Sequence, residues 1–559
     1  MEANSALSSY DILPQIFCHL SPTKGRSEFA DSVTLASCAR VSKAFSDNAL
    51  DVLWEDLDHL YPLLQLFSSF VPGDDSPPDS LDDGDEPERN SDVSKTSPVG
   101  SAVRLMFAFH QCQSLVGDIT PEEWARFRQY ARRVRTLNYS GGSSQAVHDI
   151  TSYHRTHFGD EALLPSLHEF YWQASYALDM NVQFLFSQSL RLVSIVFLNT
   201  CKLRDRDIKL QEIIDRLSQR APLLQEFRIR DLARPIALTP LVTRCSHLRN
   251  LAVIGPPQML HYQFLEAVSA LESLEELWIR CDMMQRVSPT PVALSTLSYL
   301  RLEGKLGNIV AFLGALVAPN IRTLKLTNHE HTSSFNDHVQ LMAMVHKVCS
   351  ASLRRISYHS YYSQPALDGS HTLLHLFRPL LQIHDLQDVA LMFRDGTLGL
   401  SDRDVYDIAS AWQELQCLTL RTSESRLGPH IPVGSLLPTL GALACFARFC
   451  PQLVQLELPF IADLTPSSND EIRGAVSHSL RKLDIFCICD PGIKDPSQVA
   501  QFIDSTFPNL DLPRSFQMIA SSYRRVGEFE SDARQSFTKH KDWDAVALLL
   551  QELQSAREQ

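Results

Sequence analysis

From about residue 134 the chain repeats one short motif, apolar-x-x-apolar-x-apolar, between stretches with helical spacing. Strong copies are Leu248/Leu251/Val253, Leu274/Leu277/Ile279, Leu297/Leu300/Leu302, Ile321/Leu324/Leu326, Leu415/Leu418/Leu420, Leu453/Leu456/Leu458 and Leu480/Leu483/Ile485. Looser copies are Val134/Leu137/Tyr139, Leu167/Phe170/Trp172, Leu190/Val193/Ile195, Leu224/Phe227/Ile229, Leu353/Ile356/Tyr358 and Leu386/Val389/Leu391. The last two apolar positions alternate with polar ones, as in a half-buried strand. Between the strands, Ile208, Ile213, Ile214 and Leu217 make one helical stripe, and Leu260, Phe264, Ala267, Val268 and Leu271 another. One strand and one helix cannot close a core, but stacked units bury a continuous one. The pattern predicts an α/β fold over 134–510, a curved solenoid with parallel strands on its concave face. A doubly wound sheet would need fewer strands and longer unbroken apolar runs. Trp543, Val546, Ala547, Leu550 and Leu553 mark an amphipathic helix in 511–559 that would cap the last open repeat.

The first 71 residues carry only helical spacing. Leu13, Ile16, Phe17 and Leu20 form one stripe, with Pro14 where a first-turn proline is tolerated. Ser32 or Thr34 is expected to cap a second helix with Leu35, Cys38, Ala39, Val41 and Phe45. Ser46-Asp47-Asn48 is expected to interrupt it. Leu50, Leu53, Trp54 and Leu57 then begin a third helix. So small a bundle should leave apolar surface for a partner.

The order Leu-Pro, apolar stripe, Val-Ser, aromatic, Leu-x-x-Leu-Trp resembles an F-box, the helical domain that docks its carrier onto a cullin–RING ubiquitin ligase. The resemblance implies an adaptor-binding face at Leu13, Pro14, Ile16, Leu20, Leu35, Val41 and Phe45. Gln15 stands where the family usually has an acidic residue, and the connection from Leu20 to Leu35 is longer than usual.

From Leu167 onward the motif copies start between 23 and 38 residues apart. The shorter steps resemble leucine-rich repeats, and the longer ones imply insertions or longer outer helices. Between bundle and repeats, 99–133 reads as a helical connector. Thr120-Pro121-Glu122-Glu123 is a strong helix start with capping-box spacing, and an arginine-rich helix leads from it into the first strand. This layout, with irregular repeats, resembles the fungal F-box/leucine-rich-repeat proteins. The arginines are expected to hold the helix against the acidic bundle.

Charge changes the picture in one place. Of a net charge of −14, residues 72–98 hold 9 acidic and 2 basic side chains, with prolines, serines and little apolar content. Such a stretch should be disordered. It reads either as a hinge between bundle and repeats or as an insertion between packed elements, and Leu57–Phe70 and Val103–Leu115 on its two sides look helical. Ser76-Pro77 and Ser97-Pro98 have the form of proline-directed phosphorylation sites or are unmodified disorder. Residues 1–71 hold 4 basic and 9 acidic side chains, and the 461 residues from 99 onward are near neutral, with 45 basic and 47 acidic, so a general grip on nucleic acid is not expected. No run of about 18 apolar residues and no leader-like start appears, so no membrane role is expected and the location is read as cytoplasmic or nuclear. Twelve cysteines without disulfide-like spacing read as free thiols.

Chemistry-bearing motifs are sparse. No glycine-rich phosphate loop, nucleophile elbow or Cys-x-x-Cys pair is present, so no enzyme, cofactor or metal site is expected. His371 and His375 share a helical face without a third ligand, and Cys487 and Cys489 alternate onto one side after a strand. Both pairs read as structural. The strand positions that alternate with the core are more informative. Arg228, Arg230, Trp278, Arg280, Arg301 and Lys325 fall there in the middle repeats, which suits an acidic or phosphorylated protein segment. The alternative is a solvated face with incidental charges. The sequence thus reads as a substrate receptor of an SCF-type ligase, joined through its adaptor to cullin and RING subunits, or as a repeat scaffold with no ligase attached.

Overall fold

Every copy of the motif becomes a strand. The computed structural model describes residues 12–20, 28–71, 114–141, 145–174, 178–197, 206–232, 236–258, 262–281, 291–330, 333–363, 373–395, 399–422, 438–458, 478–485, 493, 495–513, 515 and 533–559. The chain divides into two units, residues 1–256 with 266–274, and 257–265 with 275–559. In the first unit β1 (Asp56–Leu57), β2 (Thr136–Gly141), β3 (Glu169–Ala174), β4 (Leu192–Phe197), β5 (Glu226–Arg230) and β6 (Asn250–Gln258) pair parallel in chain order. In the second, β7 (Glu276–Cys281), β8 (Tyr299–Gly304), β9 (Thr323–Asn328), β10 (Arg355–Ser363), β11 (Asp388–Asp395), β12 (Cys417–Thr422), β13 (Gln455–Leu458) and β14 (Lys482–Ile485) do the same. This is a leucine-rich-repeat-like α/β solenoid architecture. A strand that leaves along a helix returns parallel to its predecessor.

The apolar positions of the motif build the core. Leu224, Phe227 and Ile229 are fully buried, as are Leu297, Leu300 and Leu302, and the equivalents stack above and below them in register. Burying each such side chain is worth about 1.5–3 kcal/mol. One of the longer steps carries a longer helix, whereas the step from Leu353 to Leu386 holds, among the described residues, only Leu373–Phe377 and the short 3-10 turn Leu380–Gln382. Phe335–Cys349 has 15 residues within the step from Ile321 to Leu353, against nine in Leu306–Gly314 within the step from Leu297 to Ile321. The first of these starts at a capping box, Ser334 with Asp337. Between β3 and β4 a short 3-10 turn, Met180–Leu185, replaces the helix. The C-terminal helix, Ala533–Glu558, packs on helix Pro496–Thr506. It buries Trp543, Val546 and Leu550, and Arg557 binds Asp504 at 2.7 Å.

The N-terminal helices are α1 (Ile12–Cys18), α2 (Glu28–Cys38) and α3 (Lys43–Leu53). Their boundaries correct the sequence reading. α2 starts before Ser32 and Thr34, so neither caps it. Phe45 and Ser46-Asp47-Asn48 lie inside α3 rather than ending α2, because the Ser42 hydroxyl accepts from the Phe45 N–H and starts the helix there. Leu57, placed on a helix by its spacing, instead enters β1. A helix over Leu57–Phe70 is reduced to Tyr61–Leu64. Phe70–Val71 pairs antiparallel with Ser114–Leu115, so the two flanks of the acidic tract lie side by side. The tract itself, Ser76 and Ser97 included, is outside the described residues, as is most of the stretch read as a helix before Leu115.

The connector helix α4 (Pro121–Ala131) starts as expected. Thr120 Oγ1 accepts from the Glu123 N–H at 3.2 Å and Glu123 Oε2 accepts from the Thr120 N–H at 3.0 Å. Its arginines divide. Arg133 just past its end binds Asp47 Oδ1 at 3.1 Å and also Asp51, joining α3 to the first repeat, whereas Arg128 meets Glu161 at 3.6 Å.

Candidate functional site

Of the residues assigned to an adaptor face, Leu13 and Leu35 are 2% and 0% exposed and form the bundle core with Phe17, Ala49 and Val52. They hold the bundle together and offer no surface, which corrects their assignment as contact residues. The cause is geometric: an apolar stripe at 0, 3, 4, 7 points inward wherever neighbouring helices cover it. Leu20 and Phe45 are half-buried against that core, Phe45 edge-on to Phe17. Ile16 and Val41, at 47% and 70% exposure, stay outside, and so does Val33 at 50%. Pro14 stands in the first turn of α1.

In the second unit the open sheet face alternates with the core as expected. Trp278, Arg301, Lys325, Ser357, Ala390, Thr419 and Glu457 register across β7 to β13, and Arg280, Glu303, Thr327, His359, Met392 and Arg421 form the next row. Trp278 and Arg301 meet: the guanidinium carbon lies 3.8 Å from the indole centroid. Arg301 does not project as a bare charge, however. Its Nε and a terminal nitrogen donate to Glu303 Oε1 at 3.0 and 2.8 Å, and Trp278 Nε1 donates to the same oxygen at 3.0 Å. Glu303 is 8% exposed. Burial by itself would raise its pKa, but the surrounding donors and the Arg301 charge more than offset it and hold the carboxyl at about 2. His329 Nε2 stands 3.5 Å from Oε2, at the outer limit of a hydrogen bond, so the short bonds from Arg301 and Trp278 carry most of that offset.

Glu303 falls on the same outward row as Arg280 in the sequence but is not among the candidate binding residues. It stands two positions from Arg301 on a strand, hence on the same face, and that spacing was the available signal. Arg280 registers beside it. Lys325 is different. It forms no ion pair among the described residues, and its ammonium lies 5.6 Å from the Tyr299 ring. His359 lies close by. Burial first, then the charges of Arg301, Lys325 and Arg421, keep its pKa below the usual histidine value, against an opposing pull from Glu303. On this stretch Arg301 and Arg421 are paired with carboxylates, and Lys325 forms no ion pair among the described residues. Further along it, Glu457 is fully buried between Arg421 and Lys482, at 2.7 and 2.9 Å.

Arg228 and Arg230 belong to the first unit, whereas Trp278, Arg280, Arg301 and Lys325 belong to the second. Arg228 is paired with Glu226 at 2.8 Å, again two residues away on one face, and Arg230 is exposed at the end of β5. Among the described residues no three metal-ligating side chains gather, and no helix is long and apolar enough to cross a membrane. His371, Cys487 and Cys489 lie outside the described residues. Among the described residues Cys18, Cys38, Cys245, Cys349, Cys417, Cys445 and Cys450 are free thiols. Burial pushes Cys349 up to about 12 and Cys245 up to about 11, so these behave as small core side chains.

No family model matches the chain, and no curated protein matches it. Among solved structures it is similar to the TLR13–ssRNA13 complex, at 12% identity and a TM-score of 0.31, covering 62% of this chain and 55% of that one. It is also similar to internalin C2 from Listeria monocytogenes strain 4b F2365, at 12% identity and a TM-score of 0.24, covering 46% of this chain and 98% of that one. At such scores the likeness adds nothing to the strand ladder, which by itself carries the assignment of a leucine-rich-repeat-like solenoid.

Proposed function

We propose that this chain is the substrate-recognition subunit of an SCF-type ubiquitin ligase. The helices of residues 1–71 would dock on the adaptor, and through it on cullin and RING subunits. The connector 99–133 would join them to the repeats of 134–510, capped by 511–559. The chain itself would carry no catalytic step. It would raise the rate by holding a substrate near a charged conjugating enzyme, in the cytoplasm or nucleus. The observation that carries this reading is the pairing of an F-box-like residue order with apolar side chains left exposed on that bundle, Ile16, Val33 and Val41. On the repeats, Lys325, which forms no ion pair among the described residues, together with Arg301 and Trp278, favours an acidic or phosphorylated protein segment.

The test is purification of the tagged chain with mass spectrometry of its partners, comparing wild type with Ile16→Asp/Val41→Asp. Adaptor and cullin peptides with wild type, lost in the variant, support the reading. Their absence with wild type rejects it. Lys325→Glu should keep the adaptor and lose the acidic partner. A repeat scaffold without ligase partners is the second reading. The burial of Leu13 and Leu35 favours it, since it shrinks the surface left for an adaptor.

A further inference from the structure

Beside its first repeats, the first unit carries a cleft of about 580 Å³. That is within the range of small-molecule sites, about 300–1,000 Å³. α4 lines it with Trp124 and Arg128, and Arg132 caps the helix, so the three stand four residues apart along one helix face. Gln188 lines it from the turn ahead of β4, and Gln219 and Arg220 from the last turn of helix Arg206–Arg220.

The charges on this wall are unevenly committed. Arg132 is exposed and makes no ion pair among the described residues. Arg128 reaches Glu161 at 3.6 Å with both side chains well exposed, a pair worth at most about 1 kcal/mol and easily exchanged for a ligand. Arg220 is held more firmly, by Asp160 at 2.8 Å and the Gln183 carbonyl at 3.4 Å. The two carboxylates, Asp160 and Glu161, are largely solvent-facing and leave the three arginines in excess. His154 on the same wall responds to that balance. Burial first lowers its pKa, and the charges of Arg128 and Arg220 add to this against Glu161.

We infer that the cleft binds a compact organic anion bearing phosphate or carboxylate groups. Arg128 and Arg132 supply the forked donors that suit either group, and the amides of Gln188 and Gln219 supply further ones. Trp124 is 4% exposed and offers no open ring face for stacking, so the anionic group rather than an aromatic body is what the cleft recognises.

Isothermal titration of the full chain with pyrophosphate and with citrate tests this, at low and at physiological salt. Saturable one-site binding is expected, weakening with salt. It should fall about tenfold or more in Arg128→Ala/Arg132→Ala, since each lost charge-assisted bond costs at least that much. Arg132→Glu alone, at an exposed position, gives the same direction should the double variant fold poorly. Tighter pyrophosphate points to phosphate esters and tighter citrate to polycarboxylates, and each supports the site. Silence of wild type toward both probes, or equal binding by wild type and variants, overturns it.

Discussion

Glu303→Gln isolates the carboxylate that anchors the open face of the second unit. Glutamine keeps the shape and one acceptor oxygen but removes the charge that Arg301 and Trp278 address. A buried carboxyl held at about 2, against 4.5 for the unfolded chain, contributes about 3 kcal/mol at neutral pH. Arg301 is 30% exposed and can turn to water, so the loss should be about 2–3 kcal/mol. That is below the 3–5 kcal/mol that follows from breaking a fully buried pair. Because the folded-state value is the lower one, the contribution is whole above pH 4.5 and disappears as pH falls toward about 2. The gap between variant and wild type should close over that interval. Urea unfolding of wild type, Glu303→Gln, Arg301→Gln and the double variant, followed by tryptophan fluorescence, measures both the loss and the coupling. The coupling should be about 1–2 kcal/mol. A variant within about 0.5 kcal/mol of wild type at pH 7, or a gap that does not change with pH, would refute the account. A bound acidic partner should at the same time bind Glu303→Gln more tightly, because Arg301 is then released.

His338 is buried, bonded to Tyr358 Oη and Ser333, and burial lowers its pKa to about 4. Its folded-state value is below the unfolded one, so stability should fall between pH 6.5 and about 4, by roughly 3 kcal/mol. His338→Gln should flatten that part of a thermal pH profile, leaving the Glu303 interval below it unchanged. Tyr139→Phe removes a buried bond to Asp179 at 2.6 Å and should cost about 1–3 kcal/mol by urea unfolding, because Asp179 stays buried. Gly255→Ala would place a Cβ 2.6 Å from Leu232 Cβ and 2.9 Å from its backbone nitrogen. A melting point lowered by several degrees is expected.

The sequence by itself determined the repeating unit. Apolar residues at fixed spacing have one way to be buried together, so the spacing of Leu297, Leu300 and Leu302 alone specifies a strand, its inward side and its place in a stack. It also determined the start of α4, since the Thr120–Glu123 box is a local bond pattern. Tertiary structure decided the rest, because burial and pairing depend on neighbours far away in the chain. β1 is two residues, Asp56–Leu57, with no period to read, and it exists because Thr136–Leu137 lies beside it. Leu13 and Ile16 belong to one helical stripe, yet one is in the core and the other in solvent, according to which helices cover them. The arginines of the open face were legible as positions but not as charges. Glu303 and Glu226 commit Arg301 and Arg228, and Lys325 is left to carry the face because no carboxylate on the adjoining strands reaches it.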